Sequence, residues 1–117
     1  MGIFSRFGLP KVSASEAIDL SSGAGMLLDI RENEEFNAGH APGAVHIPLG
    51  ALDAKLPRVP DDRPVVVVCR SGMRARSATK LLLANGRDAR LLQGGMHAWQ
   101  HAGGRMVDRK GRPGRVV

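Results

Sequence analysis

The apolar positions of this chain fall into short strand-like runs separated by helical patterns. Residues 26–30, 44–47, 65–68 and 89–92 read as strands. The clearest is Val65-Val66-Val67-Val68, a β-branched run of the kind that suits a strand buried on both faces of a parallel sheet. Between the strands, Ser13 and Glu16 form a capping box that starts a short helix reaching about Leu20. Residues 32–38 predict a second short helix, with early Glu residues that suit its dipole. Residues 48–56 carry a weak helical signal, and 57–64 form a polar, Pro-rich surface connector. From Arg74 onward Ala75, Ala78, Leu81 and Leu82 recur at helical spacing, and Asn85-Gly86 stops the helix. A last short helix runs from the Gln93-Gly94-Gly95 turn through Trp99 and ends at Gly103-Gly104. Strands alternating with helices predict an α/β fold with a mostly parallel sheet and right-handed crossovers.

The 117 residues fit one domain. We expect an irregular lead over 1–10, the folded domain over 11–107 and a basic, flexible tail over 108–117. Hydrophobic residues make up 43% and aromatic residues 3%, so the core must be aliphatic. The low aromatic content also argues against modules that stack nucleic-acid bases. The net charge of +6 allows a small anionic substrate, and part of the excess lies around the single cysteine. One cysteine makes no internal disulfide, which fits a reducing compartment. No stretch approaches the ~18 apolar residues of a membrane span, and the first residues lack a secretory h-region. Gly2 is a weak myristoylation signal because position 6 is Arg. These features together predict a cytoplasmic location. Ile3, Phe4, Phe7 and Leu9 form an apolar cluster that reads as a packed arm or a frayed end.

The chemistry concentrates at Cys69, which follows the valine run and opens the loop Cys69-Arg70-Ser71-Gly72-Met73-Arg74. Open α/β sheets bind ligands at the carboxyl ends of their strands. The next helix presents its free N–H groups there, a setting that favours an anion. Thiols at helix N-termini or beside Arg ionise more readily than free cysteine, and the thiolate is the nucleophile. A lone cysteine is ordinarily an inert, buried small hydrophobe. Here Arg70, Ser71, Gly72 and Arg74 weigh against that reading, since none of them suits a core. Backbone N–H groups of Arg70 to Arg74 can curl into a nest, Gly72 permits a positive φ, and the two arginines add charge.

A cradled thiolate fits two reactions: attack on a sulfane sulfur, and attack on a phosphate ester. Cysteine-dependent phosphatases resemble Cys-x5-Arg, but the sixth position after Cys69 is Ala75. The loop is one residue too short to wrap a tetrahedral phosphate, and it can hold one extra sulfur.

Four blocks then carry a resemblance. They are Leu28-Asp29-Ile30-Arg31-Glu32 with Glu35-Phe36; Gly39-His40-Ala41-Pro42-Gly43-Ala44-Val45-His46-Ile47-Pro48; Cys69 to Arg74; and Gly94-Gly95-Met96-His97-Ala98-Trp99. In this order, over about residues 12–107, the chain resembles the single-domain rhodanese family of thiosulfate sulfurtransferase-like proteins. The resemblance implies a rhodanese-like fold, a five-stranded mostly parallel sheet flanked by helices on both faces. It implies that Cys69 becomes persulfidated and that Arg70, Ser71, Gly72, Met73 and Arg74 bind the substrate. Asp29 and Arg31 would support the pocket, with Arg31 open to either substrate contact or a structural ion pair. It implies no metal and no organic cofactor. The partners it implies are a small anionic sulfur donor and a thiol or cyanide acceptor, with a protein acceptor as a further possibility. His40 is expected to brace its Gly-rich loop rather than act as a base, and His46, His97 and His101 lack a zinc pattern. Trp99 is expected to fill core space, and Met73 either walls the pocket or faces solvent. An alternative role is a persulfide carrier with little small-molecule turnover, docking through one of the chain's ends.

Overall fold

The computed structural model describes residues 8–117. The chain runs β1 (Lys11–Val12), α1 (Ala14–Ser21), β2 (Met26–Asp29), α2 (Asn33–Ala38), β3 (Val45–His46), β4 (Val65–Val68), α3 (Met73–Ala84), β5 (Ala89–Leu92) and α4 (Gly95–His101). The five strands form one sheet in the order β1-β5-β4-β2-β3, and every pairing is parallel. Among the described residues, no helix is long and apolar enough to cross a membrane.

Alternation along the strands divides the core in two. On one face Val65, Val67 and Cys69 pack with Leu28, Ile30, Ile47 and the Ala75, Ala78 and Leu82 stripe of α3. On the other, Val66, Val68, Leu27 and Leu92 pack with Ala14 and Ala17 of α1 and Met96 and Trp99 of α4. Successive strand side chains point to opposite faces, so a strand covered on both sides must be apolar throughout. All four valines are buried, and Cys69 continues the face turned toward α3.

The local signals hold at several points. Ser13 and Glu16 make the reciprocal capping box, with bonds of 2.9 and 3.1 Å. Asn85 follows α3, and Gly86 turns the chain with φ +78°. Trp99 is buried and its indole N–H donates to the Arg105 carbonyl at 2.9 Å.

Four features differ from the sequence reading or extend it. The segment 48–56 makes a short 3-10 turn at Leu49–Ala51 instead of a helix, and a second turn, Leu56–Arg58, runs into the connector. The 57–64 connector is not wholly superficial, because Val59 is buried and Arg87 donates to the carbonyls of Val59 and Leu56. The fifth strand, Lys11–Val12, follows directly on the lead of residues 1–10 and pairs with Leu91 and Leu92. Leu9 is buried, while Ile3, Phe4 and Phe7 lie outside the described residues.

The basic C-terminal segment has defined partners. Val107 bridges antiparallel to both His40 and Pro113. The amide of Arg115 donates to Ala38, and that of Gly114 to Met106. Gly39 and Gly114 meet so closely that a Cβ on Gly39 would overlap the Arg115 backbone.

Candidate active site at the carboxyl end of β4

Cys69 leaves the end of β4, the strand between β5 and β2, and so sits at the middle of the sheet's carboxyl edge. Its residue surface is 1% exposed. Arg70, Ser71 and Met73 above it are exposed and form the rim, and Met73 retains 75% of its surface. Gly72 takes φ +107°, a left-handed turn that costs a side-chain-bearing residue strain. That turn aims the Gly72 N–H at the Cys69 Sγ, 3.0 Å away. Among the described residues it is the one donor to the sulfur, rather than a full ring of loop amides.

The loop is braced from below by α4. The Met96 N–H donates to the Cys69 carbonyl at 2.8 Å and the His97 N–H to the Arg70 carbonyl at 3.3 Å. Gly95, with φ +57°, lies against these carbonyls, and a Cβ there would overlap them. Gly95 is therefore a positioning residue that the sequence reading left inside a motif block. Its signal was the glycine pair directly before a helix.

The two loop arginines turn away from each other. Arg74 forms a two-pronged pair with Glu35 of α2, at 2.6 and 2.7 Å. This fork geometry favours Arg, and the bonds are charge-assisted. The guanidinium of Arg74 holds the Glu35 carboxyl below the usual carboxylate range. In turn Glu35 raises Arg74, with a smaller contribution from attraction to Cys69. Glu35 also accepts the Glu32 N–H at 3.0 Å, which ties the start of α2 to the start of α3. The sequence reading did not place Glu35 in the site, because a contact 39 residues apart leaves no local pattern. Arg70 is exposed, and its Nε donates to the Val117 carbonyl at 2.9 Å.

Asp29 and Arg31 sit beside the loop, since the Ile30 N–H donates to the Val68 carbonyl at 3.0 Å. Arg31 is 0% exposed, so its guanidinium presents no surface to a substrate. It donates to Asp29 through Nε and Nη2, at 2.9 and 2.7 Å, and to the Gly39 carbonyl at 2.8 Å. Of the two possibilities open for Arg31, the geometry is that of a buried ion pair.

Behind this pair lies an aromatic stack. Phe36 is sandwiched between the rings of His40 and His46, with centroids 3.8 and 4.2 Å apart. His40 Nδ1 is 2.7 Å from the Phe36 carbonyl and His46 Nε2 is 2.7 Å from the Arg31 carbonyl. A carbonyl only accepts, so each of these nitrogens carries the proton. His40 thus braces its loop, as expected of it.

These features can be set beside known proteins. A family model described as a rhodanese-like domain matches residues 13–102. A Bacillus subtilis protein named "Putative sulfurtransferase YtwF" is 40% identical over 74 residues, covering 63% of this chain and 72% of the relative. The HTH-type transcriptional regulator Rv0324 of Mycobacterium tuberculosis is 38% identical over 79 residues, 66% of this chain but 35% of the regulator. A crystal structure of a rhodanese-related protein from Thermoplasma volcanium superposes with a TM-score of 0.79 at 26% identity, covering 84% of this chain and 97% of that one. With its five parallel strands, the cysteine loop after β4 and the match over residues 13–102, the chain belongs to the rhodanese-like domain family.

Proposed function

We propose that the protein moves a sulfane sulfur through a persulfide on Cys69. The Cys69 Sγ attacks the outer sulfur of thiosulfate or of a persulfide. The donor's S–S bond breaks and its electron pair leaves with sulfite or a thiol. A thiophilic acceptor, cyanide or a cellular thiol, then takes the outer sulfur and restores the thiolate. The observation that carries this reading is the Gly72 N–H held 3.0 Å from the sulfur by a left-handed glycine at the mouth of the loop. A fixed donor beside a nucleophile stabilises charge on it without reorganising. The phosphatase alternative is disfavoured further by Ala75, which is buried against the sheet where that chemistry needs an arginine. Asp29 and Arg31 support the pocket in this reading, and the loop residues Arg70 to Arg74 surround the donor.

The test is intact-protein mass spectrometry of wild type and Cys69→Ser after thiosulfate and then cyanide. We expect one added sulfur on wild type alone, removed by cyanide. Failure of both thiosulfate and glutathione persulfide to add sulfur would overturn the proposal. A persulfide-carrier role is favoured by one observation, the contact of Arg70 with the C-terminal segment at Val117. A partner that engages that segment would act directly on the loop. Shortening the segment should then slow transfer to a protein acceptor more than transfer to cyanide.

A further inference from the structure

Of the cations in the loop itself, Arg74 is ion-paired with Glu35, and Arg70 is hydrogen-bonded to the Val117 carbonyl. Two others stand beside it with no ion-pair partner among the described residues. An open groove of about 260 Å³ runs from the loop to the β1 edge of the sheet, and Lys11 and Arg76 line it. Ser71, Gly72 and Met73 form its loop side, and Gln93 and Gly94 lie opposite. Among the described residues, no acidic residue lines it. Lys11 and Arg76 are exposed, and neither occurs in the ion pairs that Asp29, Glu35, Asp88 and Asp108 make. The groove stops at Gly72 and is not lined by Cys69 itself; Gly72, whose N–H donates to the sulfur, is the residue the groove and the nucleophile share. It is far roomier than one sulfur atom requires and falls just short of the about 300–1,000 Å³ of drug-sized sites.

We propose that Lys11 and Arg76 are specificity-determining residues that select an acceptor thiol bearing carboxylates, held in this groove with its sulfur directed at the Cys69 persulfide. The inference rests on the persulfide cycle proposed above and names the acceptor class for it. The groove supplies two positive charges, the Ser71 hydroxyl and the apolar Met73 side chain. These match the carboxylates, amides and methylene stem of a peptide-like thiol. The acceptor thiolate attacks the outer sulfur and a new S–S bond forms. The bond between that sulfur and Cys69 Sγ breaks, and its electron pair returns to Sγ as thiolate. The sulfane sulfur changes partner with no net oxidation, so no co-reactant is needed.

The experiment loads wild type with thiosulfate, removes the excess and follows loss of the added sulfur by mass spectrometry. The acceptors are glutathione, uncharged 2-mercaptoethanol and cationic cysteamine. Rates are corrected for the thiolate fraction of each acceptor. Wild type should prefer glutathione to 2-mercaptoethanol. In Lys11→Glu/Arg76→Glu the ratio of their second-order rate constants should fall about tenfold or more, and salt should erode the wild-type preference. The same variant should gain on cysteamine relative to 2-mercaptoethanol, a gain that misfolding cannot produce. Equal ratios in wild type and variant would overturn this inference while leaving the persulfide cycle intact. Failure to load any sulfur would instead strike the proposed function itself.

Discussion

Replacing Asp29 by Asn is the sharpest test of how the site is supported. Asp29 and Arg31 are 1% and 0% exposed, and they share three side-chain contacts between 2.7 and 3.2 Å. Asp29 also accepts the Arg31 backbone N–H at 3.1 Å. The arginine cannot lose its proton, so Asp29→Asn removes the charge it pairs with and leaves a buried cation held by neutral acceptors, the Gly39 carbonyl and the new amide oxygen. Breaking one side of a buried pair costs about 3–5 kcal/mol. A domain of this size loses roughly 4–8 °C of melting temperature per kcal/mol, so Asp29→Asn should melt at least about 10 °C lower. Urea unfolding should show a lower midpoint with an unchanged slope. Asp29→Asn/Arg31→Met should recover most of this loss, because replacing a buried pair by apolar groups is often close to neutral. The recovery has a specific source here: Arg31 Nη1 is buried without a hydrogen-bond partner among the described residues, and the double variant removes it. A loss under about 1 kcal/mol in the single variant, or a double variant that simply adds two losses, would refute the reasoning.

Other outcomes follow from the same geometry. Glu35→Gln should weaken the tie between α2 and α3 in a pH-dependent way. The Glu35 carboxyl is held below its ordinary value mainly by Arg74, so its contribution is present above the ordinary carboxylate pKa of about 4.3 and is lost as pH falls through the lowered folded value. The urea midpoints of wild type and Glu35→Gln should therefore differ most near neutrality and converge on acidification; a gap that widens toward acid would contradict the assignment. Gly95→Ala should displace the cysteine loop, since its Cβ would overlap the Cys69 and Arg70 carbonyls. We expect slowed persulfide loading and a loss of at least about 1–2 kcal/mol from the left-handed backbone alone; loading at the wild-type rate would argue against Gly95 as a brace. Gly39→Ala should push away the Arg115 backbone and raise hydrogen exchange at the Arg115 amide, which otherwise donates to Ala38. Unchanged protection there would show that the crossing relaxes without releasing the segment. Cys69→Ser should abolish sulfur transfer, read as no added sulfur in the intact mass after thiosulfate.

The local elements were legible because their causes are local. A four-valine run needs cover on two faces, a capping box marks a helix start, and a positive φ requires glycine at Gly72. The cysteine and its loop are contiguous, so their adjacency needed no folding to see. A two-residue edge strand has no period to read, so Lys11–Val12 became visible as a strand only through its partners Leu91 and Leu92. Side-chain commitments were equally hidden. An arginine beside a cysteine looks like a substrate ligand in one dimension, yet Arg74 is spoken for by Glu35; Arg31, left open between substrate contact and ion pair, is spoken for by Asp29. Composition marked residues 108–117 as a flexible tail, whereas two glycines from distant segments let that segment cross Gly39 and reach Arg70. Sequence alone therefore determined the candidate nucleophile, the turn beside it and the alternation that buries the sheet, all set by short-range sterics and periodicity. Tertiary structure alone decided which charges are neutralised and which, such as Lys11 and Arg76, stay open to a ligand, because ion pairing depends on distances that the linear chain does not contain.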